Sequence, residues 1–408
     1  MSHLLEAEVH GLAGKTEPTK ISFDPHLSIL YGMNGSGKTS LLKILHSAMT
    51  GDAQSLKNVP FRRATVHLQS LAYETHVTHI RTLDKDAAAN PTPAAPKPSG
   101  RYRLGGAIRQ PELEWTETLR QDKELALGGL GSELTREGKL ANFDHRYLPT
   151  TRLYVSQSPT QLSFEWATLT PRLGTAATLT EEALEKNFAD VLQQLWRDYT
   201  SEIGRSVRAA QAGGLANILR AVMSGSGSSV PSKKPRLNLE RAYESVKQFL
   251  VRQGSPDLLG TFASFARRYE NDKFLQAIVH DIYSVEQDVE TATEPQKRLE
   301  GLIRRLYSGN KNVIFSETSI NVESTRGEQI GLESLSSGEK QLIRMFLECL
   351  CGGPNPILID EPEISIHIDW QRELMGILQS LNQKAQFVVA SHSPELMADV
   401  PDERLFLL

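Results

Sequence analysis

Cysteine is almost absent: the 408-residue chain has two, Cys349 and Cys351. Thiols two apart in an apolar segment suit neither a disulfide framework nor a four-ligand zinc site. They read as buried free thiols, and the expected compartment is a reducing cytoplasm. Long apolar runs are missing as well. Nothing approaches the roughly 18 apolar residues of a spanning helix, and Glu6, Glu8 and His10 interrupt the only early apolar run, so neither a membrane segment nor a secretory leader is expected. Neither sign of charge dominates. With 45 Lys and Arg against 49 Asp and Glu, the net charge of −4 gives no global reason to expect nucleic acid, though local basic patches remain open. What is there is ordinary: 39% hydrophobic and 23% charged residues, which describes a soluble globular chain of about two to three domains.

Against that background one stretch stands out. Gly32-Met33-Asn34-Gly35-Ser36-Gly37-Lys38-Thr39 fits the phosphate-loop spacing of glycine, four residues, glycine, lysine, then serine or threonine. Leu27 to Tyr31 before it reads as a buried strand, and Ser40 to Leu45 after it opens an apolar helix. A strand-to-helix turn of this kind is an anion site, because successive N–H groups and the helix N-terminus point at one place. Lys38 is expected to reach the β- and γ-phosphates of a nucleotide and the Thr39 hydroxyl to ligate Mg²⁺, while Asn34, Gly35 and Gly37 suit the left-handed backbone required.

The chain around the loop is patterned in blocks. Leu4 to Val9, Lys20 to Phe23, Ala64 to Leu68 and Thr75 to Ile80 alternate as strands and predict an antiparallel lobe, with His67, His76 and His79 on polar strand faces rather than on a metal. Residues 87–100, rich in proline and alanine, predict a loop or flexible insertion, and residues 101–141 carry no functional signal. Strand character returns from Tyr147 to Gln157. From Thr178, paired with Glu181 as a capping box, apolar residues keep helical spacing to Val207, and Gly213-Gly214 is expected to break or kink that helix. Residues 223–235 read as a linker, Leu239 to Leu250 as a helix, and Leu275 to Leu306 as a short antiparallel hairpin turning at Thr291 to Pro295.

A second group of motifs follows. After a strand pair at Val313 to Phe315 and Ile320 to Val322 comes Leu335-Ser336-Ser337-Gly338-Glu339-Lys340-Gln341. This resembles the signature of ATP-binding-cassette (ABC) ATPases, in the form seen in the nuclease- and repair-linked branch that includes RecF, the chromosome-organising SMC proteins and the overcoming-lysogenisation-defect nucleases. Ile357-Leu358-Ile359-Asp360-Glu361 is an apolar strand ending in two carboxylates and resembles a Walker B motif. Phe387 to Ser391 is another, ending at His392, which is similar to the switch histidine of these enzymes. Ile366 to Asp369 falls where the family carries its D-loop. Gln157 is the expected Q-loop residue, with Gln161 and Gln69 as rivals.

The resemblance implies an α/β P-loop NTPase fold: an ABC-type head, with a mixed sheet, helices and an antiparallel β lobe, into which a mostly helical subdomain is inserted. The head would comprise residues 1–160 and 313–408, with a flexible insertion near 85–100, and the insertion 161–312. The implied cofactors are ATP and Mg²⁺. Gly32, Asn34, Gly35, Ser36, Gly37, Lys38, Thr39 and Ser40 would hold the nucleotide with Gln157, and Ser336 and Gly338 would face it from a second chain. Thr39 and Asp360 would hold the metal, with Glu361 and His392 catalytic. Such heads form head-to-tail homodimers, or larger homo-oligomers, around ATP. Only Ser393 to Leu408 follow the histidine, too few for a nuclease domain, so the chain is similar to stand-alone ATPase subunits of bacterial anti-phage systems such as PARIS and Septu, which pair with a separately encoded nuclease. DNA or a phage protein is a further candidate partner. The alternative is a RecF-like repair ATPase that would use Arg62-Arg63, Arg267-Arg268 or Arg304-Arg305 on DNA phosphates.

Overall fold

The computed structural model describes residues 2–72, 75–86, 113–121, 134–136, 140–150, 181–223, 237–252, 254–307 and 311–408. The chain divides into two compact units, 1–192 with 331–408, and 193–330.

The first unit begins with strands β1 (Ser2–His10), β2 (Thr19–Ser22) and β3 (Leu27–Tyr31), then helix α1 (Lys38–Thr50). Strands β4 (Arg63–Ala72), β5 (Thr75–Asp84), β6 (Thr116–Gln121), β7 (Leu134–Arg136) and β8 (Arg146–Leu148) follow. Helix α2 (Glu181–Met223) carries the chain across the division between units.

The second unit contains α3 (Leu239–Arg252), α4 (Phe262–Asn271), α5 (Lys273–Leu306) and a small antiparallel sheet of β9 (Lys311–Phe315), β10 (Ile320–Ser324) and β11 (Gln329–Ile330). Ala242, Val246, Phe265, Tyr269, Val279 and Ile282 form its helical core. Asp272 starts α5 by accepting the N–H groups of Phe274 and Leu275 at 2.9 and 3.1 Å. The expected hairpin at 291–295 is not formed: α5 is one 34-residue helix with Pro295 inside it. Proline removes one backbone bond but leaves the apolar stripe in register, so Val289, Leu299 and Ile303 stay buried on one face. Thr293 bonds back to the Val289 carbonyl at 3.0 Å, and Glu294 pairs with Arg298 at 3.0 Å across the proline. Nor does Gly213-Gly214 end α2. A Cβ on Gly214 would lie 2.1 Å from Val285 Cγ2, so the glycine lets α2 pass close to α5.

The first unit closes with α6 (Ser337–Cys351), β12 (Ile357–Asp360), α7 (Ile368–Leu381), β13 (Phe387–Ser391), α8 (Pro394–Met397) and β14 (Leu405–Leu407). Two sheets share its core. One is antiparallel, in the order β2-β1-β4-β5-β6-β7; the other is parallel, in the order β14-β3-β13-β12-β8. The central strands of the parallel sheet are buried on both faces, which is why they read as continuous apolar runs. Helix α1 lies against both sheets. Leu41, Leu42, Ile44, Leu45 and Met49 are fully buried among Leu358, Val388 and Ala390 of one sheet and Leu4, Val66 and Leu68 of the other.

Polar ties fix this arrangement. The fully buried Gln386 receives the Leu4 N–H at 2.8 Å and donates to the Leu4 and Asp24 carbonyls at 2.8 and 3.0 Å, joining β13 to β1. Arg81 on β5, also fully buried, donates to the carbonyls of Ala48 and Met49 at the end of α1 and to Glu117 at 2.9 Å. His79 belongs to this network rather than to a polar face, with Glu117 at 3.3 Å and Ser70 Oγ at 2.8 Å. Burial opposes ionisation of Glu117, but His79 and Arg81 more than offset it and hold the carboxyl below its ordinary range.

Candidate nucleotide-binding site

In a parallel sheet all strands end on one edge, and residues just beyond that edge converge. Here β3 delivers the glycine loop, β12 delivers Asp360 and Glu361, β13 delivers Ser391 and His392, and β8 delivers Thr150.

The loop conformation requires its glycines. Gly32, Gly35 and Gly37 have φ of 152, 83 and 102°, a region that favours glycine. A Cβ on Gly32 would lie 2.4 Å from the Leu408 carbonyl oxygen, and one on Gly37 2.9 Å from Leu12. Lys38 and Thr39 then open α1, with Ser40 in its first turn. Lys38 is buried and turned into the loop, where Nζ donates to the carbonyls of Gly32 and Met33 at 3.0 and 3.1 Å. Burial lowers its pKa against the pull of Glu361, Asp360 and Glu363.

The Thr39 hydroxyl donates to Asp360 Oδ1 at 3.1 Å, while Thr150 donates to Oδ2 at 2.8 Å. Asp360 is 1% exposed, and each of its oxygens is held by a threonine distant from it in sequence. Next to it Glu361 adopts φ 50°, a left-handed conformation that is strained for a non-glycine residue. Burial, reinforced by Asp360 and Glu363, raises its pKa above the ordinary carboxylate range. His392 stands between the two halves of the site. Nδ1 lies 3.4 Å from Lys38 Nζ, and Nε2 faces Glu361 Oε1 at 3.7 Å. Since an ammonium can only donate, Nδ1 is the acceptor, which leaves the ring proton on Nε2, toward Glu361.

Sequence reasoning overlooked two residues here. Thr150 gave no signal of its own: it falls inside the strand expected from Tyr147 to Gln157, whereas β8 ends at Leu148 and leaves Thr150 just beyond it. Glu363, two residues past the paired carboxylates, accepts from Ser391 Oγ, His392 N and Ser393 N at 2.7, 2.7 and 3.2 Å. The repeated acids of Glu361-Pro362-Glu363 were visible, but their partners are not local.

Ser336 caps α6, its hydroxyl accepting the Glu339 N–H while Glu339 accepts the Ser336 N–H, a reciprocal capping box. Gly338 lies in the first turn of α6, where a Cβ would meet the Ser365 carbonyl oxygen at 2.4 Å. Gln157 lies outside the described residues, as do its rival Gln161, the expected insertion at 87–100 and the Thr178 cap. Cys349 is buried and Cys351 half-buried, both as thiols outside any disulfide. Among the described residues no cluster of three or more His, Cys, Asp or Glu forms a metal site, and no helix is long and apolar enough to cross a membrane.

Two stretches match known families. Residues 10–158 match an AAA domain, and residues 232–398 match the family described as AAA domain, putative AbiEii toxin, Type IV TA system. The probable ATPase of retron Vc95 from Vibrio cholerae serotype O1 biovar El Tor is 24% identical over 181 residues; the match covers 40% of this chain and only 33% of that protein. Similar solved structures include the Smc head domain of Pyrococcus furiosus with an extended coiled coil (14% identical, TM-score 0.41, covering 98% of this chain and 92% of that one). The SMC head domain of Thermotoga maritima is 12% identical with a TM-score of 0.37, covering 97% and 91%.

Proposed function

We propose, for a chain that resembles the ABC-type ATPases in its motifs and family matches, that it binds and hydrolyses ATP and that nucleotide-driven association gates a separate effector in bacterial defence. The observation that carries the hydrolytic reading is the meeting of Thr39 with Asp360 beside Lys38, Glu361 and His392, all on one sheet edge.

The residues present fit ATP and Mg²⁺. A threonine hydroxyl and a buried carboxylate are a hard-oxygen pair of the kind Mg²⁺ takes, and at 3.1 Å they already point at each other. Gly35 borders open space at the loop, where a Cβ would meet nothing within 4 Å and a phosphate could approach the backbone. Mg²⁺, when bound, supplies charge neutralisation for the phosphates. Gly32, Asn34, Gly35, Ser36, Gly37 and Ser40 provide the cradle, and Lys38 turns from the loop carbonyls to the phosphates. Thr39 and Asp360 hold the metal. Glu361, with its raised pKa, orients the attacking water and takes its proton. His392, with Nε2–H toward Glu361, reads the terminal phosphate.

On this reading the sites are composite. The N-terminus of α6, with Ser336 and Gly338, faces the nucleotide of a second copy in a head-to-tail homodimer, or a larger assembly of such dimers. Gln157 is proposed as the Q-loop residue. The effector is proposed to be a separately encoded nuclease, in keeping with the retron ATPase and toxin-system family matched above.

The solution mass of Glu361→Gln with and without Mg-ATP tests this. Assembly only with Mg-ATP is the expected outcome, and an assembly indifferent to ATP removes the nucleotide from the interface. Hydrolysis stimulated by DNA would instead favour a DNA-repair ATPase.

A further inference from the structure

We propose that Glu363 is a positioning residue for hydrolysis: its carboxylate fixes the backbone that carries His392 and locks it to the segment following the β12 carboxylates. The proposal rests on the reading of His392 as the residue that senses the terminal phosphate.

The geometry is specific. Glu363 Oε1 gathers three donors from consecutive residues, the Ser391 hydroxyl and the N–H groups of His392 and Ser393. Backbone N–H groups just past a strand end have lost their ladder partners and must find others. An ionised carboxylate is the strongest acceptor available, and charge-assisted bonds of this kind are about twice as strong as neutral ones. Ser391 Oγ, besides donating to Glu363, accepts the Ser393 N–H at 2.9 Å, which tightens the turn further. A second tie runs parallel to the first. Ser393 Oγ donates to Gln371 Oε1 at 2.7 Å, and Gln371 Nε2 donates to the carbonyls of Ile366 and Glu363 at 3.0 and 3.3 Å. Residues 363–366 and 391–393 are thus one hydrogen-bonded body, with α7 as its brace.

This body has two working ends. At one, His392 reaches Lys38 and Glu361. At the other, the carbonyl of Ser365, a residue at φ 64°, stands where a Cβ on Gly338 at the start of α6 would meet it at 2.4 Å. Glu363 Oε2 is buried without a hydrogen-bond partner among the described residues. A buried carboxylate oxygen left unpaired opposes folding, so the conservative glutamine, which keeps one acceptor, separates the acceptor role from the charge.

The test follows two readouts in the full chain: hydrogen exchange at the 391–393 amides, and steady-state ATP turnover. Glu363→Ala is expected to exchange at those amides about tenfold faster or more, and to lose about thirtyfold in kcat with KM within about threefold. Glu363→Gln, whose amide oxygen still accepts, is expected to recover kcat to within about fivefold of the parent. Unchanged exchange in Glu363→Ala overturns the proposal whatever the activity. A higher KM at constant kcat also overturns it, because that makes Glu363 a binding contact. A parent protein lacking Lys38-dependent hydrolysis sinks the ATPase reading, and with it the catalytic half of this one, while the exchange data still decide whether Glu363 holds the loop. Should Glu363→Ala not fold, Ser391→Ala removes one of the three donors and leaves the carboxylate, with exchange read at the His392 amide because Ser391 Oγ also accepts the Ser393 N–H. Exchange about threefold faster with a smaller loss of kcat supports the proposal, and no change in either defeats it.

Discussion

Thr39 Oγ1 donates to Asp360 Oδ1 at 3.1 Å, across 321 residues of sequence. One belongs to the first turn of the helix after the glycine loop, the other to the last residue of β12. Register in the parallel sheet brings them together, because β3 and β12 both pair with β13 and end on the same edge.

Thr39→Val keeps the shape of the side chain and removes the hydroxyl. We expect affinity for ATP in the presence of Mg²⁺ to fall by about 10- to 100-fold, with metal-free binding little changed. Titration calorimetry with and without Mg²⁺ decides it, and equal losses in both conditions would remove Thr39 from the metal.

Lys38→Ala and Glu361→Gln should separate binding from chemistry. The first is expected to abolish nucleotide binding; the second to retain ATP and lose turnover by about 10²- to 10⁴-fold. Parent-level hydrolysis by Glu361→Gln would mean that another group handles the water.

Much of this site could be read from the sequence, for a physical reason. The phosphate loop, the paired carboxylates and the strand before His392 are contiguous, and each motif holds its own local geometry. Ties between distant segments were not legible. Glu363 to the 391–393 turn, Thr150 to Asp360, Gln386 to β1 and Arg81 to the end of α1 depend on which strands become neighbours, and no spacing rule states that. The hairpin expected at Pro295 failed in the opposite way, because a strong local signal was overridden by an apolar face that continues on both sides.

Gln386→Leu should destabilise the first unit by about 2–4 kcal/mol, since it strands the Leu4 N–H and carbonyl in a fully buried position. Urea unfolding measures this. A loss under about 1 kcal/mol would show that other groups satisfy β1.

Gly338→Ala should act as a wedge, because its Cβ has no room beside the Ser365 carbonyl oxygen. We expect about 1–3 kcal/mol of destabilisation and a shifted start to α6. Parent-like melting together with unchanged turnover would show that the 365 segment yields freely.

Stability should weaken in mild acid through His46. Its Nδ1 lies 2.7 Å from His145 Nε2, while His145 Nδ1 donates to the Phe143 carbonyl, so His145 Nε2 must accept and His46 must donate. Burial, with His145 beside it, pushes the His46 pKa down to about 3 from 6.5, and burial lowers that of His145 too. Between those values the unfolded chain binds a proton that the folded chain refuses. The stability is therefore fully present above pH 6.5 and declines as pH falls toward 3, by up to about 1.4 kcal/mol per pH unit per histidine. Urea unfolding at pH 7.5 and 5 should show a steeper loss for the parent than for His46→Gln. Equal slopes would acquit the pair.

The strand order also dictates when this protein can become itself. Strand β3, which carries the glycine loop, finds its hydrogen-bonding neighbours among the described residues in β13 and β14, with Leu27 beside Phe387 and Ile29 beside Leu405. During synthesis its apolar backbone therefore waits, unpaired, until the long stretch between it and β13 is made, and closure of so distant a loop is slow. A nascent or truncated chain presents the nucleotide motif without the sheet that shapes it, and in that interval it is most exposed to aggregation and to chaperones.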